Sequence, residues 1–306
     1  MVLEKLPYLD LGSVESTHEA AQLIFKENLL HLQRNLGLFL QEENGQALMQ
    51  VRIATRRIRM AITTFEAYLR PVSRKLLQDE FKHFGRKMGL ARDLDVLLHG
   101  ILGPSCPLDG IDEEYMALRD QVELMRDREF ERLRDKLQRR RLKRLLERFE
   151  EWLRAPFDPE KLPSCPALPD FAFDAISQSR EVLLERGEKL DWNSVSDLHK
   201  MRKNVKQYRY NIRFFASRIA PETVEAAYNV IVPMQDCLGD INDIHVGAEI
   251  LQKLLHDIPP KRMKPFLKMN TKLLDYYSDV TDKKMEEYSD LWSRFHAFEL
   301  TRDKFS

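Results

Sequence analysis

Residues 51–59 read Val51-Arg-Ile-Ala-Thr-Arg-Arg-Ile-Arg59, and residues 201–209 read Met201-Arg-Lys-Asn-Val-Lys-Gln-Tyr-Arg209. Arg52 aligns with Arg202, Arg56 with Lys206 and Arg59 with Arg209, each pair 150 positions apart. The register runs on without a gap through Ile62 and Ile212, Phe65 and Phe215, and Pro71 and Pro221. It returns in Gly89-Leu-Ala-Arg-Asp-Leu-Asp-Val96 against Gly239-Asp-Ile-Asn-Asp-Ile-His-Val246. Three blocks in one ungapped register point to a duplicated helical unit. The expected product is an all-α fold of two four-helix bundles related by a pseudo-twofold axis, with a basic groove or cavity between them.

A helical residue turns by about 100°, so Arg52, Arg56 and Arg59 project from one face. Val51, Ile58, Ile62, Phe65 and Leu69 fall on an adjacent apolar stripe. In the second copy Arg202, Lys206, Arg209 and Arg213 form one line, with His199 one turn earlier. Met201, Val205, Tyr208, Ile212 and Phe215 form its apolar neighbour. A row of four such cations spans about 16 Å. No acidic residue lies between Asp197 and Glu222, a stretch with seven Lys or Arg, and residues 44–65 hold four Arg and no acid. The i,i+4 carboxylates that neutralise an ordinary surface helix are therefore missing.

Composition agrees with long solvated helices. The 306 residues include 49 Lys and Arg against 49 Asp and Glu, 32% charged, with only 11 Gly. Low glycine and high charge count against barrels, sandwiches and Gly-rich nucleotide-binding folds. Three cysteines, Cys106, Cys165 and Cys237, form no C-x-x-C, which fits a reducing compartment and a cytoplasmic location. The first 25 residues carry Glu4, Asp10, Glu15 and Glu19, so neither a signal peptide nor a transit peptide is expected. No apolar run reaches about 18 residues, so no membrane span is expected.

Proline punctuates the chain. Pro156, Pro159, Pro163, Pro166 and Pro169 define a linker over 156–170 between a first half, 1–155, and a second, 171–306, of one domain. Apolar periodicity predicts helices near 17–43, 46–70, 73–100 and 112–153, then near 171–187, 195–219, 221–256 and 261–303.

A charge row is ordinarily a wet surface, or is paired with acids from elsewhere, here Asp93, Asp95 or Asp243. The repeat favours a different reading, in which two acid-free rows line one groove and meet a linear polyanion. Arginine dominates both rows, and its planar fork suits phosphate oxygens. Lys82 and Arg86, at i,i+4, are candidates to extend the groove. His199 adds a contact that strengthens on protonation. Asp93 and Asp243 are expected to orient arginines, and Gly89 and Gly239 to permit close helix packing. The run Arg139-Arg-Arg-Leu-Lys-Arg144 reads as a solvated surface helix, although it is basic enough to form a wall or a separate patch. Phe149, Trp152, Trp292 and Phe295 are expected in cores.

The motifs of metalloproteases, serine hydrolases, P-loop and dinucleotide-binding proteins are absent. Asp93, Asp95 and Asp243 are too few for a metal-dependent phosphohydrolase, so no metal, cofactor or catalytic residue is expected.

The stretch Gln50–Arg59, the segment Ala91-Arg-Asp-Leu-Asp-Val96 and Leu198-His-Lys-Met-Arg-Lys-Asn-Val-Lys-Gln-Tyr-Arg-Tyr210 resemble the signatures of the CHAD family, the conserved histidine α-helical domain. The resemblance runs from about residue 15 to the C-terminus. It implies two helical bundles around a basic cavity and binding of inorganic polyphosphate without known catalysis. It also implies association with polyphosphate granules, where enzymes of polyphosphate metabolism are candidate partners. Carried across, the family's basic positions fall on Arg52, Arg56, Arg57 and Arg59, and on Arg202, Lys206 and Arg209. Its second histidine falls on His199, whereas Met49 stands at the first and Gln207 at a position usually cationic, which weakens the outer edge of the second row. The rivals are a nucleic-acid binder, disfavoured by zero net charge and by poor stacking platforms (Tyr208 and Phe214 are nearest), a scaffold for an acidic protein, and a weak metal-dependent phosphohydrolase.

Overall fold

Asn44 starts the helix that carries the first arginine row. Its side chain accepts hydrogen bonds from the amides of Gln46 (2.9 Å) and Ala47 (3.2 Å), two donors that a helix start leaves unpaired. Ser194 does the same for the second row through the Asp197 amide (3.3 Å). In a computed structural model that describes residues 9–42, 44–108, 112–254, 258 and 260–306, the chain is helical throughout. The described helices are α1 (Thr17–Glu42), α2 (Gly45–Thr64), α3 (Pro71–Lys87), α4 (Gly89–Val96), α5 (Glu113–Leu137), α6 (Arg140–Trp152), α7 (Leu168–Glu188), α8 (Val195–Phe215), α9 (Pro221–Leu254) and α10 (Pro260–Ala297). Extended pairing among the described residues amounts to isolated bridges. No described helix is long and apolar enough to cross a membrane.

The expected all-α class is therefore present, with several departures from the periodicity map, the simplest being early ends at Thr64, expected near 70, and at Ala297, expected near 303. The helix expected over 73–100 breaks at Met88 and ends in a π-helical segment, Leu97–Ile101. The one expected over 112–153 breaks at Gln138 and Arg139, where four successive polar residues, 138–141, are exposed and no packing sustains the helix. Helix α7 begins inside the expected linker because Pro169 sits in its first turn, where a missing amide costs nothing. The predicted ends at 43 and 256 lie outside the described residues.

Both apolar stripes are buried: Val51, Ile58, Phe65, Leu69, Met201, Val205, Tyr208 and Phe215 have no exposed surface. They join one large core that crosses the midpoint of the chain. Phe65 of the first half stacks on Phe171 of the second at 5.0 Å, with Phe215 edge-on at 6.1 Å. Phe149, Trp152 and Phe295 lie in this core, and Trp292 packs against it. A second, smaller core unites α4, α5 and the π segment with the end of α9 and the start of α10. There the Tyr277 hydroxyl donates to the Ile101 carbonyl. The two halves thus meet at two places. The proline-rich segment is strapped to the first half by Asp158 N to Tyr68 O (2.9 Å), Lys161 Nζ to Ala67 O (3.0 Å) and Thr17 Oγ1 to Pro166 O (2.7 Å).

The packing role expected of Gly89 and Gly239 is not filled: a Cβ at either would meet no atom within 4 Å. Nothing in the structure explains Gly239, which lies inside α9. Close packing falls on Gly187, where a Cβ would sit 2.0 Å from Trp292 Cη2, and on Gly247, 2.5 Å from Ile101 Cδ1. Gly239→Ala is expected to stabilise the protein by about 1 kcal/mol through helix propensity. Gly187→Ala is expected to destabilise it by about 1–3 kcal/mol through overpacking. Urea unfolding of the two variants should show opposite signs, and effects of the same sign would contradict this packing.

Candidate anion-binding site

Helices α2 and α8 pack on each other so that their cationic rows converge. One cavity of about 180 Å³ is lined by Arg52, Arg56, Arg92 and Arg202, with Met49 and Asp95 at its rim. A second, of about 440 Å³, is lined by Arg56, Arg57, Arg209 and Arg213, with Tyr210 and Gln235. Met49, Ile53 and Arg56 belong to both, so the cavities form one trough with Arg56 at its centre. Arg56 makes no hydrogen bond or ion pair with any described residue.

The electrostatics are those of a crowded cationic site. Burial, followed by repulsion from Arg56 and Arg92, lowers Arg52 to about 10. Arg57 falls to about 10 for the same first reason, with Arg213 next; its guanidinium lies 5.9 Å from the Phe214 ring. Arg202 is also lowered to about 10, by burial and against the pull of Asp243. Lys206 is the extreme case. It is only 9% exposed, and burial with repulsion from Arg56, Arg202 and Arg92 lowers its ammonium to about 5. A lysine expected as a cation is therefore a neutral amine at pH 7 until an anion arrives. The Nε atoms of Arg57, Arg59 and Arg202 are buried with no hydrogen-bond partner among the described residues.

Carboxylates approach the trough at three places: Asp95, paired with Arg126 at 2.9 Å, lines the smaller cavity, Asp236 lines the larger, and Asp93 and Asp243 meet Arg92. Arg92 donates to both oxygens of Asp243, at 2.8 and 2.6 Å, and to Asp93 at 3.2 Å. These are the charge-assisted bonds expected of the two aspartates. Asp243 also lies 3.8 Å from Arg202. Burial raises the Asp93 carboxyl, against the pull of Arg92 and Arg52. Arg52 donates to the Met88 carbonyl, which also accepts from the Arg92 amide at 3.3 Å. Asp93 and Asp243 hold Arg92 in place, and neither Arg56 nor Lys206 has a carboxylate at ion-pair distance among the described residues. Arg92 is a lining residue that the spacing of the two rows does not reveal. Its signal lay in the second repeat block, where it stands opposite Asn242.

The remaining candidates are dispersed. Arg209 donates to Gln235 at 2.9 Å while lining the larger cavity. Arg59 is half-buried between Arg56 and Arg86 and is lowered by burial first, then by both of them. Lys82 and Arg86 are exposed on α3 and line neither cavity, so the expected extension of the groove through them is confined to the proximity of Arg86 to Arg59. His199 is exposed at the start of α8. Burial and then Lys203 lower it, while a hydrogen bond with Asn242 opposes the shift. Tyr208 and Phe214 are in the core and present no stacking platform. Among the described residues, no group of three or more His, Cys, Asp or Glu is placed to hold a metal ion.

The model of the CHAD domain matches residues 23–252. The chain belongs to the CHAD domain family. A CHAD domain structure from the plant Ricinus communis superposes with a TM-score of 0.82 at 23% identity, over 97% of this chain and 98% of that one. PptA from Streptomyces chartreusis gives a TM-score of 0.70 at 14% identity, over 91% of this chain and 99% of that chain. At these identities the two structures establish the shared fold. No curated protein matches the sequence.

Within the CHAD frame, the two departures from the family pattern have defined places. Met49, at the first histidine position, is 53% exposed and lines both cavities. Gln207 does not mark the edge of the trough. It donates to Thr64 (3.1 Å) and Asn211 (2.9 Å) and lines with them a separate cavity that holds no cation and one carboxylate, Glu66. The expected weakening of the second row's outer edge is therefore replaced by a polar tie between α2 and α8.

Proposed function

We propose that this CHAD domain binds inorganic polyphosphate without catalysing its turnover. The observation that carries this reading is Arg56, which has no hydrogen-bond or ion-pair partner among the described residues and lines two cavities that receive cations from both α2 and α8. Polyphosphate offers charge at every repeat and needs neither a reading direction nor base stacking. Nucleic acid is disfavoured because the aromatic residues nearest the rows are buried. A polyphosphate granule in the cytoplasm is the setting this chemistry suits.

Binding of labelled polyphosphate should weaken steeply with salt, with a log–log slope of about −0.7 to −0.9 per phosphate neutralised. RNA and DNA at matched phosphate concentration should compete poorly, and Mg²⁺ or Mn²⁺ should elicit no phosphate release. A salt-independent affinity, equal displacement by RNA, or metal-dependent phosphate release would each replace this reading with one of its rivals.

A further inference from the structure

On the far side of α3 from the trough, a third basic cavity of about 240 Å³ lies between α3, the last turn of α5 and the first turn of α6. Its cations are Lys87, Lys136, Arg139 and Arg141, against one lining carboxylate, Glu80, with His83 beside it. Glu80 is already divided between Arg141 and Arg148, each at 3.9 Å. Lys136 faces Glu129 at 3.7 Å. Neither Lys87 nor Arg139 has a carboxylate at ion-pair distance among the described residues. Burial and the surrounding Arg141, Lys136 and Arg139 lower the Lys87 ammonium; burial, Arg141 and Lys87 lower His83. Helix α6 opens here with Arg139 extended and with no side-chain cap, so its first amides add to the positive field. Of the basic run at 139–144, Arg139 and Arg141 line this cavity, while Arg140, Lys143 and Arg144 form the solvated face expected of it.

The two basic regions are connected. Arg59, in the row of α2, has Arg56 on one side and Arg86 on the other. Arg86 of α3 adjoins Lys87, and its charge reaches His83. Arg56, Arg59, Arg86 and Lys87 thus link the two regions, each charge bearing on the next or adjoining it in the sequence.

We propose that this third cavity is a second phosphate subsite, taking the end of a polyphosphate chain whose body lies in the trough. This rests on the polyphosphate reading above. The subsite makes the protein a length sensor: chains long enough to cross α3 gain a second set of contacts, and shorter ones do not.

The test compares tripolyphosphate with long-chain polyphosphate on the wild type and on Lys87→Glu/Arg139→Glu, with Lys87→Gln/Arg139→Gln as a milder companion and circular dichroism as the check on folding. The expected result is a loss of at least fivefold in long-chain affinity in the reversal variant, a smaller loss in the neutral one, and tripolyphosphate affinity within twofold of wild type in both. Unchanged long-chain affinity overturns the subsite and leaves the trough reading standing. Equal loss for both ligands also overturns it, because the effect would not depend on length. If the wild type binds neither ligand, the trough reading fails first and the subsite with it.

Discussion

Arg56→Glu combined with Lys206→Glu is expected to abolish the proposed polyphosphate capture, lowering affinity by about two orders of magnitude or more at physiological salt. The size follows from position. Arg56 belongs to both cavities, and its charge bears on Arg52, Arg59, Arg202 and Lys206. Reversal of Arg56, and of Lys206, which lines neither cavity but lies under the influence of Arg56, Arg202 and Arg92, supplies carboxylates to the remaining arginines, which then resemble the Arg92–Asp243 pair. Counterion release accounts for the scale, since the salt slope flattens by nearly one unit for every phosphate that is no longer neutralised. Helicity is retained because neither residue is part of the apolar stripes. Titration of labelled polyphosphate at two salt concentrations checks the result. Wild-type affinity in the double variant would remove the rows from the mechanism.

The second large effect concerns protons. Lys206 has a folded value of about 5 against its ordinary 10.5. Between those values the unfolded chain carries a proton there that the folded protein lacks, so the free protein gains stability from this group as pH rises through that window and loses it as pH falls. An anion beside the amine reverses the preference, and binding draws a proton onto Lys206. Polyphosphate binding near pH 8 is therefore expected to take up close to one proton at this residue, seen by calorimetry in buffers of different ionisation enthalpy. His199, also held below its ordinary value, adds to the uptake nearer pH 6. Tighter binding at pH 6 than at pH 8 will consequently persist in part in His199→Ala. Lys206→Met removes the proton uptake at pH 8, raises the melting temperature of the free protein by several degrees, and weakens binding about tenfold. A lower melting temperature together with intact proton uptake would show that Lys206 is not the group that titrates.

Most of the helix map follows from spacing, because each apolar stripe had one face to bury and buried it. The convergence of the two cationic rows was also legible, since a shared register with no acidic residues is unusual in solvated helices. What spacing could not reveal was the break at Met88. No proline marks it, and Gly89, the one stop signal, reads equally as a packing glycine; the Met88 carbonyl at the break accepts from both the Arg92 amide and Arg52. The state of Lys206 was equally hidden. A lysine at i+4 from Arg202 reads as one more cation until its burial among three arginines is known. Gly89 and Gly239 misled for a simpler reason. Symmetric placement suggested a common packing task, whereas the helices actually touch at Gly187 and Gly247.

The two cores lie on either side of the cation cluster. Along α4, Ala91 belongs to the larger and Leu94 to the smaller; along α9, Ile241 and Ile250 divide the same way, with Arg92 and Asp243 at the junction. Hydrophobic clamps at both margins keep the walls from swinging apart to admit something wider. If polyphosphate is the ligand proposed above, an aperture fixed in this way should sort polyanions by girth as well as by charge, admitting a bare phosphate thread and leaving a base-paired duplex, however negative, on the rim.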